Sequence, residues 1–331
     1  MPTEPSWLSV VVNLAAGFLL LFKGADWMVD GSSRVARRMG VSVLVIGLTI
    51  VAFGTSAPEI VVSGLAALEG DADLSIGNVL GSNVANIGLV LGACALVLPK
   101  VLEARFQVRE LFWLFASLGL LWWTLSDLAL SRAEAGILLG AFVTYNVTVL
   151  AGPREEVDPS DQEGALGGSL FRAFVGIAAI GFGAKLVVDG AEGGAVRIGL
   201  PQSVIGLTIV AIGTSLPELA AGLGAAFKGE KDISLGNVIG SNVFNVLAVM
   251  GIVGVIQPLE PERFSEEGAA NLERAFRWAL SEDFWVVLGF SLLAVLLPLL
   301  GRQSLGRLKG AILLLAYVGY SAWLYASRGL G

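Results

Sequence analysis

The chain has 331 residues, 55% of them hydrophobic and only 15% charged, with a mean hydropathy of +0.77 and a formal charge of -7. An ordinary soluble domain carries roughly 25% charged residues, so this composition excludes one and points to a polytopic membrane protein. One cysteine, Cys94, excludes an intrachain disulfide or cysteine cluster; the absence of histidine removes the commonest proton relay and metal ligand; and the scarcity of basic clusters excludes a nucleic-acid binder.

Ten apolar segments, each long enough to cross about 30 Å of hydrocarbon, follow in chain order. The first five lie near 7–29, 41–68, 73–98, 108–127 and 132–150, and the second five near 170–190, 200–227, 232–257, 281–300 and 306–327. Positions 1–6 lack the basic region of a signal peptide, so the first segment is expected to be a mature transmembrane helix. Lys23, Asp26 and Asp30 near its end read as charges snorkelling to the interface. Pro153, Glu155, Glu156, Asp158, Pro159 and Asp161 mark a polar linker. The expected organisation is an N-terminal five-helix unit over 1–151, a cytoplasmic linker over 152–169 and a C-terminal five-helix unit over 170–331. The charged stretch 260–281 is expected to hold a short interfacial helix. Lys and Arg number 13 in the loops after odd segments and 6 on the other side, which predicts cytoplasmic odd loops and both termini outside. The lipid bilayer is the expected partner, in a cell inner (plasma) membrane; no protein partner is inferable.

The two units are copies. Val45–Asn86 aligns without gaps with Val204–Asn245 at an offset of 159, with 26 of 42 positions identical. VIGLTIVAFGTSAPEIV is followed by DLSIGNVLGSNVAN, and VIGLTIVAIGTSLPELA by DISLGNVIGSNVFN. Five spans per unit oblige the second copy to enter the membrane inverted, the architecture of many secondary transporters. The predicted fold is all-α integral membrane, ten transmembrane helices as two inverted five-helix repeats.

Identity concentrates on polar residues at membrane depth. Thr55, Thr214, Asn86 and Asn245 fall near mid-segment, with Glu59 and Glu218 roughly 6 Å away along the helix. An acidic residue near the bilayer centre costs about 2.5–3.5 kcal/mol on insertion scales, and a bound cation gives both glutamates one reason to be there. Pro58 and Pro217 remove a backbone donor, so each helix is expected to break near Gly54-Thr55 and Gly213-Thr214, offering carbonyls beside two hydroxyls and a carboxylate. Ser82 and Asn86 share a helix face, as do Ser241 and Asn245. For Asn78, Asn83, Asn237 and Asn242, capping and bridging between helices compete with lining the cavity. An all-oxygen cavity suits hard cations such as Ca2+ and offers nothing to zinc, copper or nickel. Two carboxylates are neutralised equally by one Ca2+, two Na+ or two H+, the chemical basis for exchange.

G-T-S-x-P-E twice, each followed by G-S-N-x-x-N, resembles the cation/Ca2+ exchanger superfamily, specifically its prokaryotic sodium/calcium exchangers. The motifs cover roughly 40 residues of each half. The resemblance implies a secondary antiporter, not an enzyme, exchanging Ca2+ for Na+ by alternating access, with no cofactor. It implies Glu59 and Glu218 as main Ca2+ ligands, with the carbonyls of Thr55 and Thr214, and Na+ sites drawing on Ser56, Ser82, Ser215 and Ser241 and the carbonyls of Ala52 and Ala211, around Asn86 and Asn245. Many relatives carry Asp at one of these last two positions; Asn at both leaves two carboxylates and an open Na+ count. Ca2+/H+ antiport on the same scaffold and a passive cation channel are the competing readings.

Overall fold

The computed structural model describes residues 6–97, 108–152, 166–198, 211–300 and 305–328. Residues 153–165 of the expected linker 152–169 and the start of the seventh segment, 200–210, lie outside the described residues.

The first repeat comprises α1 (Trp7–Met39), α2 (Val43–Thr55), α3 (Ala57–Glu69), α4 (Ala72–Val97), α5 (Val108–Leu125) and α6 (Arg132–Leu150). The second comprises α7 (Leu166–Arg197), α8 (Ala211–Thr214), α9 (Leu216–Phe227), α10 (Lys231–Ile256), α11 (Glu266–Leu299) and α12 (Arg307–Arg328). Among the described residues eight helices are long and apolar enough to cross a membrane, and α2 with α3 makes a ninth span bent by 43°. The expected tenth is described only from Ala211, where α8 and α9 repeat that break.

Local sequence explains the boundaries. Ser6, Ser42 and Asp71 each accept a backbone N–H three residues on, filling the orphan donors of a first turn. Ser131 and Glu134 form a reciprocal capping box at the start of α6. Gly70 and Gly229, equivalent under the offset, close α3 and the turn after α9 in the left-handed region that glycine tolerates.

Three spans exceed their expected lengths. α1 runs to Met39 rather than 29, and α7 from Leu166 to Arg197 rather than 170–190. Polar residues end a hydropathy window but need not end a helix. Asp26 and Asp30, read above as snorkelling, are ion-paired instead: Lys228 reaches both, at 2.6 Å from Asp26, and Arg172 lies 2.9 Å from Asp30. The expected interfacial helix within 260–281 is the amphipathic start of α11, continuous with its membrane-spanning part through a π turn at Ala279–Asp283.

Glycine contacts between α1 and α7 display the inversion. Gly17 packs against Gly183, and Gly24 against Gly176, so the helices run antiparallel. Under the offset of 159, Gly17 corresponds to Gly176 and Gly24 to Gly183, so each contact is the image of the other. The contacts of Gly31 with Ala173 and of Gly190 with Leu14 are related in the same way. This reciprocity is what a two-fold axis between the repeats requires. A Cβ at Gly24 or Gly176 would sit within 2.8 Å of the facing backbone, so only glycine allows this approach.

α4 and α10 are the most enclosed spans, with 78% and 83% of their apolar windows buried, against 11% for α12. They cross the centre of the bundle, each beside the broken pair of helices. Gly47 and Gly236 bring α2 and α10 into backbone contact across the repeats.

Candidate functional site

The two GTSxPE motifs and the two GNVxGSNVxN motifs meet at this centre. α2 ends at Thr55, Ser56 breaks the helix with φ -85° and ψ 8°, and α3 starts at Ala57. Ser215 does the same between α8 and α9, with φ -90° and ψ 2°. The breaks follow from Pro58 and Pro217, which cannot donate to the carbonyls of Gly54 and Gly213. Glu59 and Glu218 therefore stand in the first turn of a half-helix, where the positive end of the helix dipole favours a carboxylate.

Both glutamates are fully buried. Both carboxylate oxygens of Glu59, and Oε2 of Glu218, lack any hydrogen-bond partner. The other Glu218 oxygen accepts from the Ser56 hydroxyl at 3.0 Å, a bond between repeats. Thr55 Oγ1 donates to Asn237 Oδ1 at 3.0 Å and lies 3.3 Å from Ser241 Oγ. Asn237 in turn donates to the Glu218 carbonyl at 3.3 Å. The Ala52 carbonyl accepts the Ser56 N–H at 3.0 Å. Ala211 is the first described residue of α8, and its side chain lies outside the described residues.

Asn86 and Asn245 each begin a π turn, over Asn86–Leu91 and Asn245–Val249. π turns widen a helix and concentrate at functional sites. α9 packs on the turn of Asn86, and α3 on that of Asn245. Asn86 Nδ2 donates to Asn242 Oδ1 at 3.1 Å, and Asn83 Nδ2 to the Asn242 carbonyl at 3.3 Å. The whole amide of Asn245, Asn86 Oδ1 and Ser215 Oγ are buried without a partner. Ser82 is buried on the same face of α4 as Asn86.

Hydrogen bonds thus join Thr55, Ser56, Asn237, Ser241 and Glu218 across the repeats, with Glu59, Ser82, Ser215, Asn86 and Asn245 buried on the broken and crossing helices, while Ala52, Thr214 and Ala211 lie in the turns before the breaks at Ser56 and Ser215. Burying an unpaired polar group costs about 1–3 kcal/mol, and a carboxylate more. Orphaned oxygens gathered at one place mark a site for a ligand that satisfies them together. Of the four asparagines with competing readings, Asn237 touches both a threonine and a glutamate, Asn83 and Asn242 bridge the crossing spans together with Asn86, and Asn78 donates to Ser63 Oγ.

One contributor carried no signal in the sequence. Tyr145 on α6 donates its hydroxyl at 3.0 Å to the Leu48 carbonyl. Leu48 lies in the π turn Gly47–Val51 of α2, which leads to Thr55. A lone tyrosine in a membrane span reads as packing, and only the fold reveals what its hydroxyl meets.

Comparison with known proteins matches a family model described as sodium/calcium exchanger protein over residues 9–151 and 168–326. The chain belongs to the sodium/calcium exchanger protein family. As a member it is a multi-pass membrane antiporter and not an enzyme. The family chain is 40% identical over 334 residues to CaxA of Alkalimonas amylolytica, covering 97% of this chain and 100% of that one. It is 31% identical to the sodium/calcium exchanger MaX1 of Methanosarcina acetivorans, covering 94% and 97%. Its fold matches the solved structure of the sodium-calcium exchanger NCX_Mj soaked with Na+ and no Ca2+, with TM-score 0.77, 32% identity and coverage of 96% and 100%.

Proposed function

We propose that the chain exchanges Ca2+ for Na+ across the membrane by alternating access, with Glu59 and Glu218 as the charged ligands. The observation that carries this reading is the set of three unpaired carboxylate oxygens on two fully buried glutamates. Two such charges are tolerated in the bundle interior only when a cation neutralises them. Ca2+ takes six to eight oxygens, and the buried donors around it are hydroxyls, amide oxygens and freed carbonyls, with no thiolate or imidazole. Ser56, Ser82, Ser215 and Ser241, with the carbonyls of Ala52 and Ala211, supply the Na+ ligands, and Thr55 and Thr214 contribute carbonyls to Ca2+.

One Ca2+ or two Na+ bring the site to zero net charge, and a neutral load crosses the low-dielectric centre most readily. The empty site with charge -2 resists the same transition. That difference couples the two ion flows. The inverted repeats supply two related conformations, each opening the site to one face. The excess of basic residues in the odd loops supports termini that lie outside a cell inner membrane. The names of MaX1 and NCX_Mj support Na+ as the counter-ion.

The test is Ca2+ uptake into proteoliposomes loaded with Na+ and diluted into Na+-free medium. Uptake that requires the outward Na+ gradient and disappears in Glu218→Gln supports the reading. Uptake that follows an imposed pH gradient without Na+ assigns proton exchange instead, because buried carboxylates also bind protons. Uptake indifferent to both gradients indicates a passive channel.

A further inference from the structure

Asn237, on α10, is fully buried, and its amide nitrogen faces the backbone carbonyl of Glu218 at 3.3 Å. A carbonyl oxygen can only accept, so the group that faces it is the NH2, and the orientation of the amide is fixed. The other end of the amide, Oδ1, lies 3.0 Å from the Thr55 hydroxyl of the first repeat. An amide oxygen also only accepts, so Thr55 is the donor. A threonine hydroxyl has a single hydrogen, and this bond uses it.

The polarity of the neighbouring contacts follows. Thr55 Oγ1 has two further oxygens within hydrogen-bond distance, Ser241 Oγ at 3.3 Å and the Ala52 carbonyl at 3.4 Å. With the Thr55 hydrogen committed to Asn237, Ser241 is the donor in its pair with Thr55, and its own oxygen keeps a lone pair for a ligand. The Ala52 carbonyl accepts the Ser56 N–H at 3.0 Å and keeps its second lone pair. These two oxygens are the ones assigned above to Na+ and not to Ca2+. Without an acceptor at position 237, the Thr55 hydrogen turns to one of them, and a hydrogen pointing at a ligand oxygen opposes a cation there. The image of Asn237 under the offset of 159 is engaged elsewhere: Asn78 donates at 2.9 Å to Ser63 Oγ, where the second repeat carries Gly222.

We infer that Asn237 is a positioning residue for Na+, which by taking the Thr55 hydrogen keeps Ser241 Oγ and the Ala52 carbonyl open to the ion. It acts through these neighbours and not as a ligand. This rests on the exchange reading proposed above, and it names a residue that sets the preference of that site between Na+ and Ca2+.

The experiment measures two quantities on the purified protein: the Ca2+ dissociation constant without Na+, and the Na+ concentration that displaces half of the bound Ca2+. Asn237→Leu, similar in size and unable to accept, should raise the Na+ requirement relative to Ca2+ about tenfold, the scale of a hydrogen bond to a charged group. Asn237→Ala, which cannot clash, should give the same shift. Asn78→Leu, the same change at the image position, should leave the ratio within about twofold. Thr55→Val keeps the carbonyl and removes the hydrogen. In that background Asn237→Leu should also change the ratio by less than about twofold. Lost packing, or the lost bond to the Glu218 carbonyl, would act whether or not position 55 carries a hydroxyl. An unchanged ratio in Asn237→Leu and Asn237→Ala proteins would overturn the inference. So would a shift that survives in the Thr55→Val background, an equal shift in Asn78→Leu, or a loss of Ca2+ binding together with Na+. Wild-type Ca2+ binding that ignores Na+ would instead sink the functional reading beneath it.

Discussion

The Ser56 hydroxyl of the first repeat donates to the Glu218 carboxylate of the second at 3.0 Å. Neither residue completes a site within its own repeat. Removing the hydroxyl in Ser56→Ala leaves Glu218 open to either ion, but on the proposed reading it removes an oxygen that Na+ uses directly. Half-saturating Na+ should rise about 10-fold relative to half-saturating Ca2+, the scale of a hydrogen bond to a charged group. Paired titrations of Na+ and Ca2+ in transport assays read the ratio.

Buried charge without a partner should also destabilise the ion-free protein. Glu59→Gln removes a carboxylate whose two oxygens are both unpaired. The ion-free variant is expected to melt a few degrees above wild type in detergent. The wild type should gain about 2.7 kcal/mol when Ca2+ reaches a hundred times its dissociation constant, and the variant should gain almost none. Thermal unfolding with and without Ca2+ decides between a ligand site and a merely structural pair of acids.

The α1–α7 seam predicts a sharp contrast among glycines. An added Cβ at Gly176 would lie 2.7 Å from the Gly24 carbonyl oxygen, whereas one at Gly194 meets its nearest neighbour, Val10, at 3.5 Å. Gly176→Ala should cost on the order of 1–3 kcal/mol through overpacking, and Gly194→Ala should be neutral or slightly stabilising. Melting temperatures in detergent distinguish the two.

Much of this arrangement was legible in the residues. The doubled GTSxPE reports the proline breaks at Ser56 and Ser215, and the odd number of spans per copy reports the inversion that the glycine pairs display. What stayed hidden depends on neighbours distant in the chain. The charges of Asp26 and Asp30 mark a span's end in any hydropathy window, because nothing local announces Lys228 and Arg172 as their partners. Asn78 and Asn237 stand in nearly identical local sequence, yet Asn78 donates to Ser63, where the second repeat carries Gly222, and Asn237 donates to the Glu218 carbonyl.

Tyr145 offers a further check on the path from packing to site. Tyr145→Phe keeps the ring, which lies edge-on to Trp113, and removes only the donor to the Leu48 carbonyl. Losing that one hydrogen bond should cost about 0.5–1.5 kcal/mol. Because Leu48 belongs to the π turn that places Thr55, half-saturating Ca2+ should rise several-fold as well. Transport and melting measured on one preparation report both effects.

On the proposed reading Ca2+ and Na+ compete for one oxygen cage closed by Glu59 and Glu218. Equilibrium binding of Ca2+ to the purified protein, titrated at increasing Na+, tests it most directly. The apparent dissociation constant for Ca2+ should rise at least as the square of Na+ concentration, and binding should be lost in both Glu59→Gln and Glu218→Gln. Ca2+ binding that ignores Na+, or that survives in either variant, would contradict the account.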